Sequence, residues 1–437
     1  MSDLLAARSQ MAMSLGFHIL FAAVGIGMPL LMVIAEGLYL RTKDPVYLLL
    51  AKKWSKGTAV LFAIGAVSGT VLSFELGLLW PKFMAQYGSV IGMPFSMEGF
   101  AFFLEAIFLG IYMYGWKRVP AIVHLLSGVA VLFSGIFSGL FVICANGFMN
   151  TPAGFRIEDG KIVDIDPWAA LFNPAALAEG LHMTTAAFLS VAFLVAGIHA
   201  FMLLKDSKNP FHRAALGIAL AVAAPMSVLQ GATGHMAGET VGETQPVKLA
   251  AMEAHWETER WAPFRIGGWP DVERQETRYA IEIPGLMSFL SYGDPNAEVK
   301  GLKDFPKELH PPVPVVHVSF QIMIGAGVFM MAVAGMGVAL GLWKRKLPDS
   351  PWFLKAVILA SPMGMIAIEA GWVVTEVGRQ PWIIQGVLKT ADAVTPMPGL
   401  WAPFLAFSLL YLFLGATVVV LMINLVKHSP TFDENEA

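Results

Sequence analysis

Four side chains that can bind iron lie inside long apolar segments of this 437-residue chain, namely His18, His182, Met323 and Glu369. Imidazole and thioether groups are frequent axial ligands of haem iron. A carboxylic acid in hydrocarbon needs a metal, a proton or a partner. The alternative is that the histidines are hydrogen-bonded packing residues and the methionine is core. His317, six residues before Met323 and on another face, is a rival ligand.

Two further acids, Glu98 and Glu105, are seven residues apart in the stretch Met-Glu-Gly-Phe-Ala-Phe-Phe-Leu-Glu. Seven residues is about two helical turns, so both side chains project from one face. A stepped pair of this kind can pass protons along a wet path through a membrane. The alternative is two structural acids satisfied by Ser or Thr hydroxyls or lying next to haem propionates. Glu75 is a candidate for the same polar region.

A third candidate is the run Lys-Leu-Ala-Ala-Met-Glu-Ala-His-Trp-Glu at 248–257. Lys248 and Glu253 flank an apolar patch beside the membrane, which suits a lipid-soluble substrate with two polar oxygens. A solvated charged helix is the commoner explanation of such a run, so both interpretations stay open at this point.

The composition identifies the elements that must hold these residues. Hydrophobic residues make up 56% of the chain and charged residues only 14%, which predicts a polytopic membrane protein. The net charge of −3 carries no nucleic-acid signal. Cys144 is the only cysteine, which excludes an internal disulfide, an iron-sulfur cluster and covalent haem attachment. Met1 to Gln10 lacks a basic n-region, which predicts a retained first span.

A membrane span needs about 20 apolar residues. Nine segments qualify, so we predict an all-α membrane protein with nine transmembrane helices in a single domain, residues 1–437. The segments lie near 10–38, 57–80, 94–116, 121–145, 176–204, 213–232, 315–343, 353–376 and 398–426.

Lysine and arginine in the short loops and the tail predict the orientation. Alternate loops collect 15 of these residues on one side and 6 on the other, so the N-terminus is expected outside and the C-terminus inside. The long loop at 235–314 is then outside. At 1.5 Å per residue, the four iron-binding candidates fall in the outer half of four helices. This shared depth predicts a cofactor layer.

Several motifs, taken together and in order, resemble subunit I of cytochrome bd-type quinol oxidases. They are Glu-Gly-Phe-Ala-Phe-Phe-Leu-Glu at 98–105, Ala-Asn-Gly-Phe-Met at 145–149, Lys-Leu-Ala-Ala-Met-Glu-Ala-His-Trp-Glu-Thr at 248–258, Glu-Ala-Gly-Trp at 369–372 and Gly-Arg-Gln-Pro-Trp at 378–382. The resemblance implies a respiratory oxidase of a bacterial or archaeal cytoplasmic membrane that oxidises quinol, reduces dioxygen to water and separates charge without pumping. It also implies a second membrane subunit and, in some members, a small single-span accessory subunit.

The same resemblance assigns roles to individual residues. His182 and Met323 match the axial pair of a low-spin haem b, whereas His18 and Glu369 match the ligands of a high-spin haem b and of a haem d or further haem b. Which residue holds which of these two haems stays open. Lys248 and Glu253 match quinol-site residues of the long loop, which is called the Q-loop in this family. Glu98 and Glu105 match acids near the proton entry. Arg379 and Trp382 match the motif beside the haem propionates.

Two departures from the family pattern change the expectations. Gln321 stands where many members have arginine, which is expected to alter propionate pairing and the low-spin haem potential. Met365 stands where many members have a tryptophan between the haems. The short Q-loop is similar to that of the cyanide-insensitive branch.

Three other classes of membrane protein are possible alternatives for a chain of this composition. A haem-copper oxidase needs an adjacent His-His pair, which the chain lacks. A cytochrome b of the quinol-cytochrome c reductase type needs two histidines on each of two helices, and only the fifth span has such a pair, His182 and His199. A proton-coupled transporter would use Glu98, Glu105 and Glu369 as a relay without metal, and it would be colourless.

Overall fold

The computed structural model describes residues 1–427. Within them, nine helical segments are long and apolar enough to cross a membrane, which confirms the predicted all-α, nine-span architecture. The spans are α1 Asp3–Thr42, α2 Pro45–Leu79, α3 Pro81–Tyr114, α4 Ala121–Asn150, α6 Ala176–Lys205, α7 Pro210–Thr244, α10 Val313–Lys344, the pair α11 Pro351–Ala360 and α12 Met363–Gly378, and α14 Trp401–Lys427. Short helices complete the numbering: α5 Pro167–Leu171, α8 Pro246–Met252, α9 Leu286–Tyr292 and α13 Thr390–Ala393.

Proline begins several helices, as expected for a residue whose missing N–H costs nothing in the first turn. Pro45 follows Asp44, whose side chain accepts a hydrogen bond from the Val46 N–H. The predicted boundary near Pro94 is wrong, because α3 begins at Pro81 and continues through Pro94. Long membrane helices tolerate such a proline where neighbouring groups satisfy the freed carbonyl.

The eighth span is broken between α11 and α12, at Ser361 and Pro362. Proline cannot donate to the helical ladder, and its ring disfavours a straight continuation. The break separates a lysine-side piece from α12, which carries Glu369 and the Gly-Arg-Gln-Pro-Trp motif.

Helices α1 and α6 are the most buried spans, whereas α2 and α14 expose most of their surface. Helix α1 packs against α2, α4, α6 and α14, so residues on different faces of α1 meet several partners. The end of the bundle where α1 and α3 end and α4 begins carries Arg41, Lys43, Lys52, Lys117 and Arg118 and is called the lysine-rich end. The opposite end is called the loop end.

The long loop at 235–314 is partly ordered into regular elements. Helix α7 continues through Thr244 before α8 begins. An antiparallel hairpin of β4 Phe264–Asp271 and β5 Glu276–Ile283 follows, and β3 Glu259–Arg260 pairs with β6 Glu298–Val299. Two further hairpins lie at the same end of the bundle: β1 Arg156–Glu158 with β2 Lys161–Val163, and β7 Trp382–Ile384 with β8 Leu388–Lys389. The side of the membrane that each end faces stays a prediction.

Candidate functional site

His18 lies on α1 with its imidazole against α2. Its Nδ1 is 3.0 Å from the Ser68 hydroxyl oxygen, and that hydroxyl lies 2.9 Å from the carbonyl of Ile64, to which it donates. In the tautomer with the proton on Nδ1, His18 donates this hydrogen bond and Ser68 accepts it. In this tautomer Nε2 keeps the lone pair that a metal ligand needs.

Glu369 lies on α12 and faces α1. A Cβ added to Gly16 would lie 3.0 Å from Glu369 Oε2, so glycine at this position lets α1 approach the carboxyl group closely. Its other oxygen, Oε1, is buried and has no hydrogen-bond partner among residues 1–427. A buried acid oxygen without a protein partner is an open coordination or hydrogen-bonding position.

His182 and Met323 are also flanked by glycine. A Cβ on Gly234 would approach His182 Cε1 to 3.3 Å, and one on Gly371 would approach Met323 Sδ to 3.1 Å. The amide nitrogen of Gln230 lies 3.2 Å from His182 Nδ1. A Cβ on Gly69 would lie 2.9 Å from His18 Cε1, so all four candidate donors lie beside a glycine.

Contacts between the helices bring the donors to one level of the bundle. Gly371, against Met323, is two residues from Glu369, and Gly16, against Glu369, is two residues from His18. Direct neighbours of three donors also share one hydrophobic cluster, which includes Ile19, Met183 and Ile368. The structure therefore brings the four side chains together, as the shared depth in the sequence predicts; their roles as ligands stay a prediction.

The donor set fits haem better than a bare metal ion. No group of three or more His, Cys, Asp or Glu side chains comes together as a metal site in the described part of the chain. A porphyrin supplies four equatorial nitrogens, so one or two protein donors per iron suffice, and imidazole with thioether is a familiar axial pair. The rival His317 has both ring nitrogens at backbone carbonyls, 2.8 Å from Met252 O and 3.0 Å from Gly267 O. Neither nitrogen is free for iron.

Lys248 lies in a buried charged group at the loop end that we call the Asn150 cluster. The Asn150 side-chain oxygen accepts from Lys248 Nζ at 2.9 Å and from Arg379 Nη1 at 3.0 Å. The Asn150 amide donates to Glu179 at 2.8 Å, and Arg379 Nη2 donates to Glu376 at 2.6 Å. Burial, followed by the nearby Arg379 charge, lowers the pKa of Lys248, while Glu179 and Glu376 oppose this shift.

The cluster joins the loop to the helices that carry the donors. Lys248 lies on α8 and Glu376 on α12, and Asn150 is the last residue of α4. Glu179 is one turn before His182 on α6, and Glu376 is two turns after Glu369 on α12. Lys248 is only 4% exposed, and its ammonium group donates a hydrogen bond to the buried Asn150 side chain.

Glu253 is the second buried ionisable group of the loop. It is 3% exposed, and its Oε2 has no hydrogen-bond partner among the described residues. Burial raises the pKa of Glu253 to about 8, although the backbone and charge of Arg265 act in the opposite direction. The neighbouring His255 has its pKa lowered to about 4 by burial and by Arg265. A neutral acid with an open oxygen, beside the membrane, can exchange a proton with a hydroxyl group.

Glu105 is buried between two glycines, one on each neighbouring helix. A Cβ on Gly25 of α1 would lie 3.6 Å from its Oε1, and one on Gly135 of α4 would lie 3.4 Å from the same atom. Glu98, two turns away, accepts from the Ser138 hydroxyl at 3.4 Å. The two acids therefore line the same contact between α3 and α4. Glu75 belongs to a separate pair, because its Oε1 accepts from the Gln10 amide at 2.8 Å.

The remaining motif residues lie at the loop end. Arg379 is 2% exposed, and its Nε has no hydrogen-bond partner among the described residues, which leaves one donor for a further anionic group. Trp382 begins β7, with the Lys389 ammonium 5.7 Å from its ring centroid. Gln321 uses its amide on the loop backbone, donating to Arg265 O at 2.8 Å and accepting from Gly267 N–H at 2.9 Å.

Sequence reasoning missed Asn150, Glu179, Glu376 and Ser68 as site residues. Asn150 directly follows the Ala-Asn-Gly-Phe-Met motif, which was the available signal for it. Glu179 and Glu376 lie near the ends of their helices, where acids normally face solvent. Only the packing of four segments around one amide shows that these half-buried acids join Lys248 and Arg379 at Asn150.

Comparison with known proteins gives a consistent result along the chain. Residues 6–430 match the family described as "Cytochrome bd terminal oxidase subunit I". The chain is 39% identical over 445 residues to "Putative cytochrome bd menaquinol oxidase subunit I" of Bacillus subtilis (strain 168), with 100% of both chains covered. It is 35% identical over 455 residues to "Cytochrome bd ubiquinol oxidase subunit 1" of the same strain, covering 100% of this chain and 96% of the relative. The solved bd oxidase from Geobacillus thermodenitrificans superposes with a TM-score of 0.93 at 38% identity, covering 98% of this chain and 99% of that chain.

Proposed function

The chain belongs to the family of cytochrome bd terminal oxidase subunit I, and on that premise we propose that it oxidises membrane quinol and reduces dioxygen to water through three haems. The observation that carries the proposal is the set of four iron-binding side chains at one level of the bundle, each with a glycine beside it. The relatives are named for menaquinol and for ubiquinol, so the proposal names quinols as a class.

His182 and Met323 would hold the low-spin haem b, and His18 and Glu369 the high-spin haem b and the haem d or third haem b. When bound, the haems accept single electrons and bind dioxygen. The protein would supply the ligand geometry: Ser68 would accept from His18 Nδ1 and so leave Nε2 unprotonated, and the glycines would leave space for flat groups. Arg379 and Trp382 would face the propionates, Arg379 through its free Nε.

Quinol oxidation would occur at the loop end, where Glu253 can accept a hydroxyl proton. One oxygen of its buried carboxyl group has no partner among the described residues, so a hydroxyl group of the quinol could donate to it. Lys248 would act within the Asn150 cluster and fix α8, and thereby the position of Glu253. The released protons leave on the loop side.

Protons for water formation would travel along Glu105 and Glu98 from the opposite side of the membrane. With the loop outside, these protons cross most of the bilayer, so charge is separated without a pumping step. Each charge moved in this way stores about 2.3 kcal/mol per 100 mV. The subunit would work in a bacterial or archaeal cytoplasmic membrane with a second membrane subunit; a small single-span accessory subunit is part of the proposal.

The decisive experiment is a reduced-minus-oxidised spectrum of the purified oxidase with pyridine haemochrome analysis, compared with His182→Ala and Met323→Leu. Both variants should lose the low-spin signal and keep the other haems. Loss of every haem at once would contradict the ligand assignment, and a colourless wild-type protein would contradict the function.

Proton movement needs a separate measurement in sealed vesicles of known orientation. Uptake is expected at the lysine-rich end and release at the loop end. Uptake and release on one side of the membrane would refute the charge-separating mechanism.

A further inference from the structure

We propose that the buried pair of Glu36 and His124 loads protons at the lysine-rich end and passes them through the Tyr112 hydroxyl toward Glu105 and Glu98. The inference rests on the proposed function, because it takes these two acids as the route by which protons reach dioxygen. It adds three residues from α1, α3 and α4 that form a hydrogen-bonded group of their own.

The pair holds one shared proton. His124 Nδ1 lies 2.8 Å from Glu36 Oε1, and His124 Nε2 lies 2.8 Å from the backbone carbonyl of Tyr112. A carbonyl only accepts, so Nε2 must carry a proton. The second proton then lies between Nδ1 and the carboxylate, either as an imidazolium-carboxylate pair or as a neutral acid and imidazole. Both side chains are buried, with 2% exposure each, so this proton is protected from direct exchange with bulk water.

Tyr112 provides the next group along the route. The Tyr112 ring lies 4.5 Å from the His124 ring, measured between centroids, and its hydroxyl group is near the Glu36 carboxyl group. Glu36 Oε2 and the Tyr112 hydroxyl are both buried, and neither has a hydrogen-bond partner within residues 1–427. A Cβ on Gly128 of α4 would lie 2.7 Å from the Tyr112 ring, so the ring is held tightly in this position. A buried acid oxygen and a buried hydroxyl left open next to each other are arranged to exchange a proton.

The three helices align these groups with the two acids. On α3, Glu98, Glu105 and Tyr112 follow each other in steps of seven residues, about 10.5 Å each. On α1, Gly25 contacts Glu105, and Glu36 follows 11 residues later, about three turns along the same face.

Helix α4 repeats this spacing in the opposite direction. Gly135 contacts Glu105, Gly128 contacts Tyr112, and His124 completes the row 11 residues from Gly135. One contact region of α1, α3 and α4 thus runs from the pair to Glu105. The step from Tyr112 to Glu105 is too long for a direct hydrogen bond and requires bridging water.

The surroundings connect the pair to the lysine-rich surface. The Trp116 ring lies 4.0 Å from the His124 ring, and the Lys52 ammonium lies 5.4 Å from the Trp116 ring, measured between centroids for the rings. On α3 the pair faces Tyr112, and Lys52 of α2 contacts the same Trp116 ring as His124. One aromatic ring therefore contacts both the histidine of the pair and a half-buried, charged side chain at the lysine-rich end.

The test uses the complete oxidase, with its partner subunit, carrying Glu36→Gln or Tyr112→Phe. His199→Phe is the matched control: His199 is also a buried histidine near the lysine-rich end, 2.8 Å from His212, but it belongs to α6. Three quantities are measured: steady-state oxygen consumption with quinol as a function of pH, its solvent deuterium isotope effect, and the rate of haem reduction by quinol without oxygen.

Glu36→Gln should lower oxygen consumption about 100-fold or more, within the range for loss of a proton-transfer group. Tyr112→Phe should lower it several-fold. Both variants should show a larger isotope effect and an altered pH profile, while haem reduction without oxygen and the haem spectrum stay unchanged. The control should match the wild type.

Wild-type turnover and pH profile in both Glu36→Gln and Tyr112→Phe would overturn the proposal, as would an equal loss in His199→Phe. If Glu36→Gln fails to assemble, Tyr112→Phe decides, because it removes only a hydroxyl group. Failure of the underlying function has a different signature, which is a wild-type enzyme that does not consume oxygen with quinol.

Discussion

Replacing Glu253 by glutamine separates its chemical role from its structural one. The change keeps the shape of the side chain and removes its ability to accept a proton. Burial raises the pKa of Glu253 from 4.5 to about 8, which corresponds to roughly 5 kcal/mol at 1.36 kcal/mol per pKa unit. In the wild type the folded loop favours the protonated acid, so the loop loses stability as pH rises from about 4.5 to about 8.

Glutamine stays neutral and avoids this loss. The loop of Glu253→Gln should therefore resemble the wild type at pH 5 and be more stable at pH 9, by up to about 5 kcal/mol. Hydrogen exchange of the backbone around α8 measures this local stability. Equal exchange in the two proteins at pH 9 would show that burial does not disfavour the ionised form of Glu253.

The same variant should lose quinol oxidation. Removal of a positioned proton acceptor typically costs 10²- to 10⁴-fold, so we expect a decrease of about 100-fold or more in kcat/KM for quinol. Because the ionised carboxylate is the acceptor, wild-type kcat/KM should rise with pH toward about 8, and this rise should be absent in the variant. Oxygen-electrode assays between pH 6 and 9 test both points. Wild-type activity in Glu253→Gln would refute the proposed role.

Two further substitutions test the geometry of the site. Gly69→Ala would place a methyl group 2.9 Å from His18 Cε1 and should reduce the content of the haem bound there. The control Gly77→Ala, on the same helix with nothing within 4 Å, should keep the wild-type haem content. Equal haem content in quantitative spectra of both variants would contradict a tight fit at His18. Asn150→Ala would deprive the Lys248 ammonium of its acceptor, at a cost of about 1–3 kcal/mol. We expect KM for quinol to rise about tenfold in steady-state assays with an unchanged haem spectrum, and an unchanged KM would show that the Asn150 cluster does not position the loop.

The sequence determined the membrane architecture and the identity of the main candidate residues. Hydrophobic length is a local property, so nine spans could be counted without knowing how they pack. Acids and histidines in apolar segments stand out because they are expensive in hydrocarbon. The depth of His18 and Glu369 followed from their distance to the helix ends.

Only the tertiary structure decided which of these residues are partners. Spacing along one helix identifies a shared face, but it does not tell which neighbouring helix covers that face. The glycines beside the iron-binding side chains, the four segments that meet at Asn150 and the contact between Glu36 and His124 all join residues distant in sequence. Such contacts depend on the rotation and tilt of each helix, which packing sets and local sequence does not specify.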